Sequence, residues 1–362
     1  MFAQGMRATI TQMRSPLPLF AAAAALPLPL IGAAALWGGY WAGIAVLCMT
    51  LLAFVLDEAV ARTLPALPDA EEFPVADGLS ALLAAGHLGI LFLSVAALSG
   101  DALEPLEKAL LFAATGLCLG QIGNANAHEL IHRSGRGLRG LGIAVYTALM
   151  FGHHASAHPL VHHVHVATPR DPNSARPGES YWRFLPRAWI GSFRAGLKAE
   201  TARRRRAGKP AWRHPYVLYI GGALAALGLS ALIGGWGGIA AHLTLASFAT
   251  SQLMLSDYVQ HYGLVRATGP DGKPEPVGPQ HSWNAPHAFS SAMLLNAPRH
   301  SDHHAHPRRS YPALTLPERG PMLPRSLPVM ACIALWPGAW RRLMDHRAAR
   351  WRDGPARRLA AE

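Results

Sequence analysis

Three short stretches of this 362-residue chain carry histidines at the spacing of metal ligands. In His128-Glu129-Leu130-Ile131-His132 two imidazoles stand four apart, so a helix brings both to one face, where they can grip one metal ion. His158, His162 and His163 form HxxxHH, a spacing that predicts His158 and His162 on one face and His163 turned toward a second metal. His300, His303 and His304 form HxxHH within Arg299-His300-Ser301-Asp302-His303-His304. His261 stands alone in Tyr258-Val259-Gln260-His261-Tyr262-Gly263. One HxxxH is a weak signal, but three boxes and a fourth single histidine amount to nine candidate ligands: His128, His132, His158, His162, His163, His261, His300, His303 and His304. Imidazole suits zinc, copper, iron and nickel, so ligand type does not choose among them. A structural zinc site takes four ligands and commonly uses cysteine. Nine imidazoles are too many for one zinc and enough for two metals with open positions. Two redox-active irons with open positions can bind and cleave O₂. Such a set contrasts with the Glu-x-x-His pattern of soluble di-iron bundles.

The other histidines have plainer readings. His153, His154 and His165 flank the second box and are expected around the ligands or at the surface. His87 and His242 lie within apolar runs, where a helix–helix hydrogen bond is the expected role. The nearest carboxylates able to orient a bound imidazole are Glu129, Asp257 and Asp302.

The elements that must position these boxes read as membrane helices. The chain is 51% apolar and only 15% charged, against about 25% charged in soluble domains. A membrane pass needs about 20 mostly apolar residues, and Leu17–Trp37, Tyr40–Val55, Leu79–Leu98, Leu106–Asn124, Tyr216–Ile233 and Gly238–Leu255 qualify, the second being short. The first run follows Arg7 and Arg14 and reads as an uncleaved anchor, because another pass follows at once. The connections at 37–40, 100–106 and 234–238 hold no Lys or Arg, with Lys108 the only cation nearby. Arg62, Arg133, Arg136, Arg139 and the Arg203–Arg206 run lie on the other side, so both termini and the histidine boxes are expected to be cytoplasmic. If Leu138–Phe151 crossed the membrane, the second box would be separated from the first, so that stretch is expected to be a re-entrant or interfacial hairpin. Pro328–Trp340, with two prolines, is expected at the interface.

Cys48, Cys118 and Cys332 are isolated in apolar runs and form no disulfide framework. The net charge of +12 fits cytoplasmic loops, and no nucleic-acid-binding signature is present. No flavin or nicotinamide fingerprint is present either, so electrons for a redox centre must come from a separate donor. The expected fold class is an all-α integral-membrane domain over 1–362, six transmembrane helices with a cytoplasmic histidine-rich region at 126–170 and 257–310.

The motifs match a known family. Asn126-Ala127-His128-Glu129-Leu130-Ile131-His132-Arg133 resembles the first box of the membrane alkane hydroxylases. The run from His162 through Val164, His165 and Thr168-Pro169-Arg170-Asp171-Pro172 resembles their second box and its tail, and Arg299 to His304 with Pro307 their third. Asp257 to Leu264, His281-Ser282-Trp283-Asn284 and Ala334 to Arg342 resemble further family segments. The likeness runs from about Asn124 to Arg347. It implies a fatty acid desaturase-like domain in a bacterial inner membrane. It further implies that the nine histidines bind two irons and that a rubredoxin-type protein with its reductase supplies electrons. The implied reaction is O₂-dependent terminal hydroxylation of n-alkanes to primary alcohols. The related xylene-type hydroxylases and the fatty-acyl desaturases and hydroxylases share the boxes. A metal transporter, the rival outside enzymes, would need ligands near the bilayer midplane.

Overall fold

The structure, a computed structural model, describes residues 16–59, 66–67 and 73–353. Arg7, Arg14 and Arg62, which carry part of the expected orientation, lie outside the described residues. The described chain is helical, with two isolated β-bridges and no strand. In order, the helices are α1 (Leu17–Ala25), α2 (Pro27–Trp37), α3 (Trp41–Leu47), α4 (Ala53–Ala59), α5 (Pro74–Ser99), α6 (Pro105–Cys118), α7 (Asn124–Ile131) and α8 (Arg136–Ala148). There follow α9 (His154–Ala157), α10 (His163–His165), α11 (Tyr181–Arg206), α12 (Pro215–His261), α13 (Ala288–Met293), α14 (His300–Ala305), α15 (Leu327–Ala334) and α16 (Pro337–Asp353). π turns of five residues join α3 to α4, α6 to α7 and α9 to α10.

Among the described residues, four helical stretches are long and apolar enough to cross a membrane: Leu17–Trp37, Trp41–Ala59, Pro74–Ser99 and Pro215–His261. They mark the chain as a membrane protein. The last, at 47 residues, would be about 70 Å long if straight, more than twice a hydrocarbon core. It is not straight. Gly234 and Gly235 leave helical geometry, Gly235 at φ +57°, and the chain folds back on itself there. The two arms touch: the Ser230 hydroxyl lies 2.6 Å from His242 Nδ1. His242 Nε2–H donates to the Ala148 carbonyl at 2.7 Å, so Nδ1 accepts from the serine. The expected passes 216–233 and 238–255 fall on these two arms. The expected pass 106–124 falls on α6 and the π turn Leu119–Gly123, which runs on into α7.

Several tertiary ties hold the bundle. Glu107 caps α6 by accepting from the Glu104 N–H at 2.9 Å, and it also accepts from the Gly39 N–H at 2.5 Å in the α2–α3 turn. Ser94 and Thr115 share a hydrogen bond of 2.8 Å between α5 and α6. The Asn124 amide donates to the Ala249 carbonyl at 2.8 Å, joining α7 to α12. His87 is buried in α5 with no hydrogen-bond partner for either ring nitrogen among the described residues. The cysteines are free thiols.

Two expectations differ from the structure, the hydrogen bond of His87 and the hairpin at 138–151. Residues 138–151 form no hairpin. They belong to the single helix α8, which packs against α7 and ends in a turn at Met150 with φ +60°. Its 13 residues make about 20 Å, too short to span a bilayer. The 328–340 stretch, expected at the interface or docked on the surface, is two helices, with Trp336 exposed between them and Trp340 buried.

The hairpin depends on one close approach. A Cβ at Gly238 would run into the Ser230 carbonyl oxygen, whereas Gly221 has open space around it. Gly238→Val is expected to destabilise the protein by at least about 2 kcal/mol, read as a lower thermal midpoint in detergent. Gly221→Ala should lower it little or not at all. Equal behaviour of the two variants would contradict the hairpin packing.

Candidate metal centre

Five segments from distant parts of the chain end at one place. α7 carries His128 and ends at His132, the π turn carries His158 and His162, α10 begins with His163, α12 ends at His261, and α14 carries His300, His303 and His304. Their imidazoles sort into two groups, His128, His132, His158, His163 and His303 in one and His162, His261, His300 and His304 in the other. Within each group the candidate ligand atoms lie within 4.8 Å of one another. All nine residues named from sequence are therefore brought together.

The geometry is that of ring nitrogens sharing a point. In the first group His128 Nε2 lies 2.6 Å from His158 Nε2, His163 Nε2 2.9 Å from His158 Nε2, and His303 Nε2 3.1 Å from His163 Nε2. In the second, His261 and His304 place Nε2 at 2.9 and 3.2 Å from His300 Nε2. Imidazoles about 2.1 Å from one ion stand roughly 3 Å apart. Among the described residues, buried His132 Nε2 and His162 Nε2 have no hydrogen-bond partner, an arrangement that costs free energy unless a cation meets the lone pairs. The residues present therefore fit two metal ions.

The second box is divided differently from its spacing. His158 pairs with His163, five residues on, while His162 faces the other group. The cause is the π turn His158–His162, with Pro159 in its first turn. A π turn bonds i to i+5, so it aligns fifth rather than fourth neighbours. In α14 the ordinary helical period holds, with His300 and His304 on one metal group and His303 on the other.

The orienting carboxylate is Asp171, which the spacing argument did not single out. Its Oδ2 accepts from His162 Nδ1–H at 2.8 Å and from the Ser174 hydroxyl at 2.7 Å, and its Oδ1 accepts from the Asn173 N–H at 3.0 Å. This fixes the His162 tautomer and leaves Nε2 to face the group. The usable signal was the Asp-Pro pair closing the box tail. The carboxylates nearest the boxes in sequence have other partners. Glu129 pairs with Arg133 at 2.8 Å and accepts from the Tyr311 N–H at 3.1 Å. Asp302 holds Arg309, His306 and Thr315. Asp257 accepts from the Asn173 amide at 2.6 Å, one residue removed from the metal groups. The His281–Asn284 segment supports the rest: the His261 Nδ1–H donates to the His281 carbonyl at 3.3 Å, and Asn284 Oδ1 accepts from the Ser301 N–H at 3.0 Å at the start of α14.

Residues 108–328 match the fatty acid desaturase family. The chain belongs to the fatty acid desaturase family. Within this family-wide likeness, alkane 1-monooxygenase 1 of Pseudomonas aeruginosa is 35% identical over 254 residues, 68% of this chain and 65% of that one. The alkane 1-monooxygenase of Acinetobacter baylyi is 35% identical over 244 residues, 67% of this chain and 60% of its own. The chain thus spans less than two thirds of the length of these two relatives. The xylene/toluene monooxygenase hydroxylase component of Pseudomonas putida is 27% identical over 310 residues, 84% of this chain and 81% of that one.

The remaining histidines of this desaturase-family chain lie outside both metal groups. His153 faces Ser192 at 3.2 Å, and His165 is half-buried. His154 is buried with its ring 4.7 Å from that of His158. Burial dominates the protonation of the ligand set. It lowers His128, His158, His163, His300, His303 and His304 well below the ordinary imidazole range, and His132 to about 3. His162 is the exception: burial opposes its charge, but the Asp171 carboxylate outweighs that and raises it. Asp171 is held low, because His162 and Ser174 outweigh its burial.

Two outcomes follow. Asp171→Asn should weaken metal retention about 10- to 100-fold, read as metal left after a chelator challenge, with helix content unchanged by circular dichroism. The second concerns pH. Released by unfolding, the lowered rings take up protons near 6.5, while the folded state resists them to lower pH. The unfolded chain therefore binds more protons below 6.5, and stability falls with falling pH. His162, raised, works in the opposite sense but is one group against seven. The metal-free protein should hold a level thermal midpoint from about pH 8 to 7 and lose it steadily below about 6.5. A midpoint that rises on acidification would contradict neutral, buried rings.

Proposed function

We propose that this chain is an integral-membrane monooxygenase that hydroxylates the terminal carbon of n-alkanes to primary alcohols with O₂. In this reading the two histidine groups hold two irons, which supply O₂ activation and the oxidising power. A rubredoxin-type protein with its reductase delivers the electrons. The carrying observation is a cavity of about 860 Å³ whose wall includes His128 of one metal group and His300 of the other. Its other walls are largely apolar, among them Met49, Phe54, Leu117, Phe248, Leu253 and Leu294.

An alkane has no polar handle, so a site for it must be built from apolar surface, worth about 0.8 kcal/mol per buried CH₂ relative to water. A chain already dissolved in lipid gains little from that transfer. The walls instead confine the chain and hold its end against the metal groups, which is catalysis by position. His128 and His300 would mark the part of the wall where carbon meets metal. Asp171 keeps His162 in one tautomer, and the burial of the set keeps most ligand nitrogens free of protons. The histidines cluster in two adjoining groups, and no further metal-binding group lies among the described residues, which speaks against a transporter.

The topology we infer has six passes, counting the two arms of α12 and the continuous α6–α7 helix, in one domain over 1–362. Both termini and the metal groups face the cytoplasm of a bacterial inner membrane. The basic loops support that orientation. The xylene/toluene relative, which this chain matches along more of its length, supports a second reading in which the substrate carries an aromatic methyl group.

The test is expression with a rubredoxin and its reductase, with octane, hexadecane and xylene supplied separately. Primary alcohols from the alkanes are expected, with about two irons per chain in the purified protein. His303→Ala should abolish turnover and lower the iron content while the protein stays folded in detergent. Benzylic alcohol alone would favour the second reading, and alkenes from saturated acyl chains would defeat both.

A further inference from the structure

We propose that α11 lies in the plane of the membrane and docks on anionic phospholipid headgroups through a row of cations beside an exposed apolar stripe. With eight Lys and Arg in 26 residues, α11 cannot be a membrane pass. Its buried face, Tyr181, Phe184, Ala188, Ser192 and Gly196, packs onto the protein. A Cβ at Gly196 would meet Ala157 at 2.8 Å, so this face sits directly behind the second histidine box.

The opposite side is unlike the surface of a soluble helix. Trp182, Pro186, Ile190 and Leu197 follow one another at spacings of four, four and seven, which is one helical stripe. All four are exposed, Trp182 and Ile190 by 57% and 52%. Beside the stripe run Arg183, Arg194, Lys198 and Arg205, each exposed and with no acidic partner among the described residues. The neighbouring Arg187 and Arg203 are already paired, with Glu179 and Glu200. From Tyr181 to Ser256 the chain has ten Lys and Arg and one acid, the buried Glu200.

Two neighbours place this surface at the bilayer. The helix leads through Lys209, exposed Trp212 and Arg213, whose guanidinium lies 4.5 Å over the Trp212 ring, into the apolar α12. At its other end the Trp182 Nε1–H donates to the Leu335 carbonyl at 3.0 Å, next to exposed Trp336. Exposed tryptophans at both ends, an apolar stripe between them and cations along its edge are the features of an interfacial helix that prefers anionic lipid. An acidic protein could pair with the cations but would leave Ile190 and Leu197 uncovered by anything its charge supplies. The proposal rests on the membrane placement of α12 and not on the oxidation chemistry.

The test uses the full-length protein in detergent, titrated with phosphatidylglycerol or phosphatidylcholine while thermal unfolding is followed. Phosphatidylglycerol should raise the midpoint, phosphatidylcholine and free glycerol phosphate should not, and high salt should suppress the rise. The Arg183→Gln/Arg194→Gln/Lys198→Gln/Arg205→Gln variant should need at least about tenfold more phosphatidylglycerol for the same shift, with its lipid-free midpoint unchanged. Arg183→Lys/Arg194→Lys/Arg205→Lys should keep the response. If the fourfold variant fails to fold, Arg194→Gln/Lys198→Gln should show a smaller loss of the same kind. An unchanged phosphatidylglycerol response, an equal response to phosphatidylcholine, or a defect confined to binding an acidic rubredoxin would overturn the proposal.

Discussion

Nine imidazoles turned toward one another within a poorly hydrated interior are the constraint to which the remaining structure answers. Ring nitrogens that face no donor and no water are costly, and charging them there costs more. Part of the set is locked from behind. His162 is locked by Asp171, His261 by the His281 carbonyl, and the start of α14 by Asn284. These supports come from the connections after α10 and α12, which are buried where they meet the histidines, at Asp171, Asn173 and Ser174 and at His281 to Asn284.

The apolar bundle and the polar centre are coupled by few but specific contacts. Asn124, one helical turn before His128, fastens α7 to α12 through the Ala249 carbonyl, and the Tyr146 hydroxyl donates to the Asn124 carbonyl at 3.1 Å. Asp57, at the end of the second apolar helix, accepts from the Phe289 and Ser290 N–H groups at 2.9 and 3.1 Å and so caps α13. Arg133 bridges Glu129 and Asp77, tying the end of the first box to the start of α5. Asn124, Tyr146 and Asp57 also line the cavity.

Much of this was legible in the residues themselves. Histidine spacing named all nine members of the two groups, because ligand sets must be explicit in side-chain type. Apolar runs located the long helices, and the glycine-rich break at Gly234–Gly235 was visible as a turn without cations. What stayed hidden depended on backbone geometry. The π turn at His158–His162 has no compositional mark beyond Pro159, so a helical period of 3.6 assigned His162 to the wrong partner. Asp171 was overlooked because its closeness to His162 is created by the turn at Thr168–Asp171 and not by helical spacing. Residues 138–151 suggested a reversal because a crossing there would have parted the first two boxes; a short helix packed on α7 keeps them together without one.

The π turn Leu119–Gly123 has a consequence for how such a protein can diverge. It inserts extra winding between α6 and the part of the helix that carries His128 and His132. Exchange of one apolar residue for another upstream leaves the direction of those two rings untouched. Loss or gain of a single codon in the turn would instead swing both rings by about a quarter of a revolution, with composition and helicity preserved. Lineages descending from this fold are therefore bound to the turn's number of residues, and to small residues at Gly116 and Gly120, where a Cβ would meet Phe248 and Gln252.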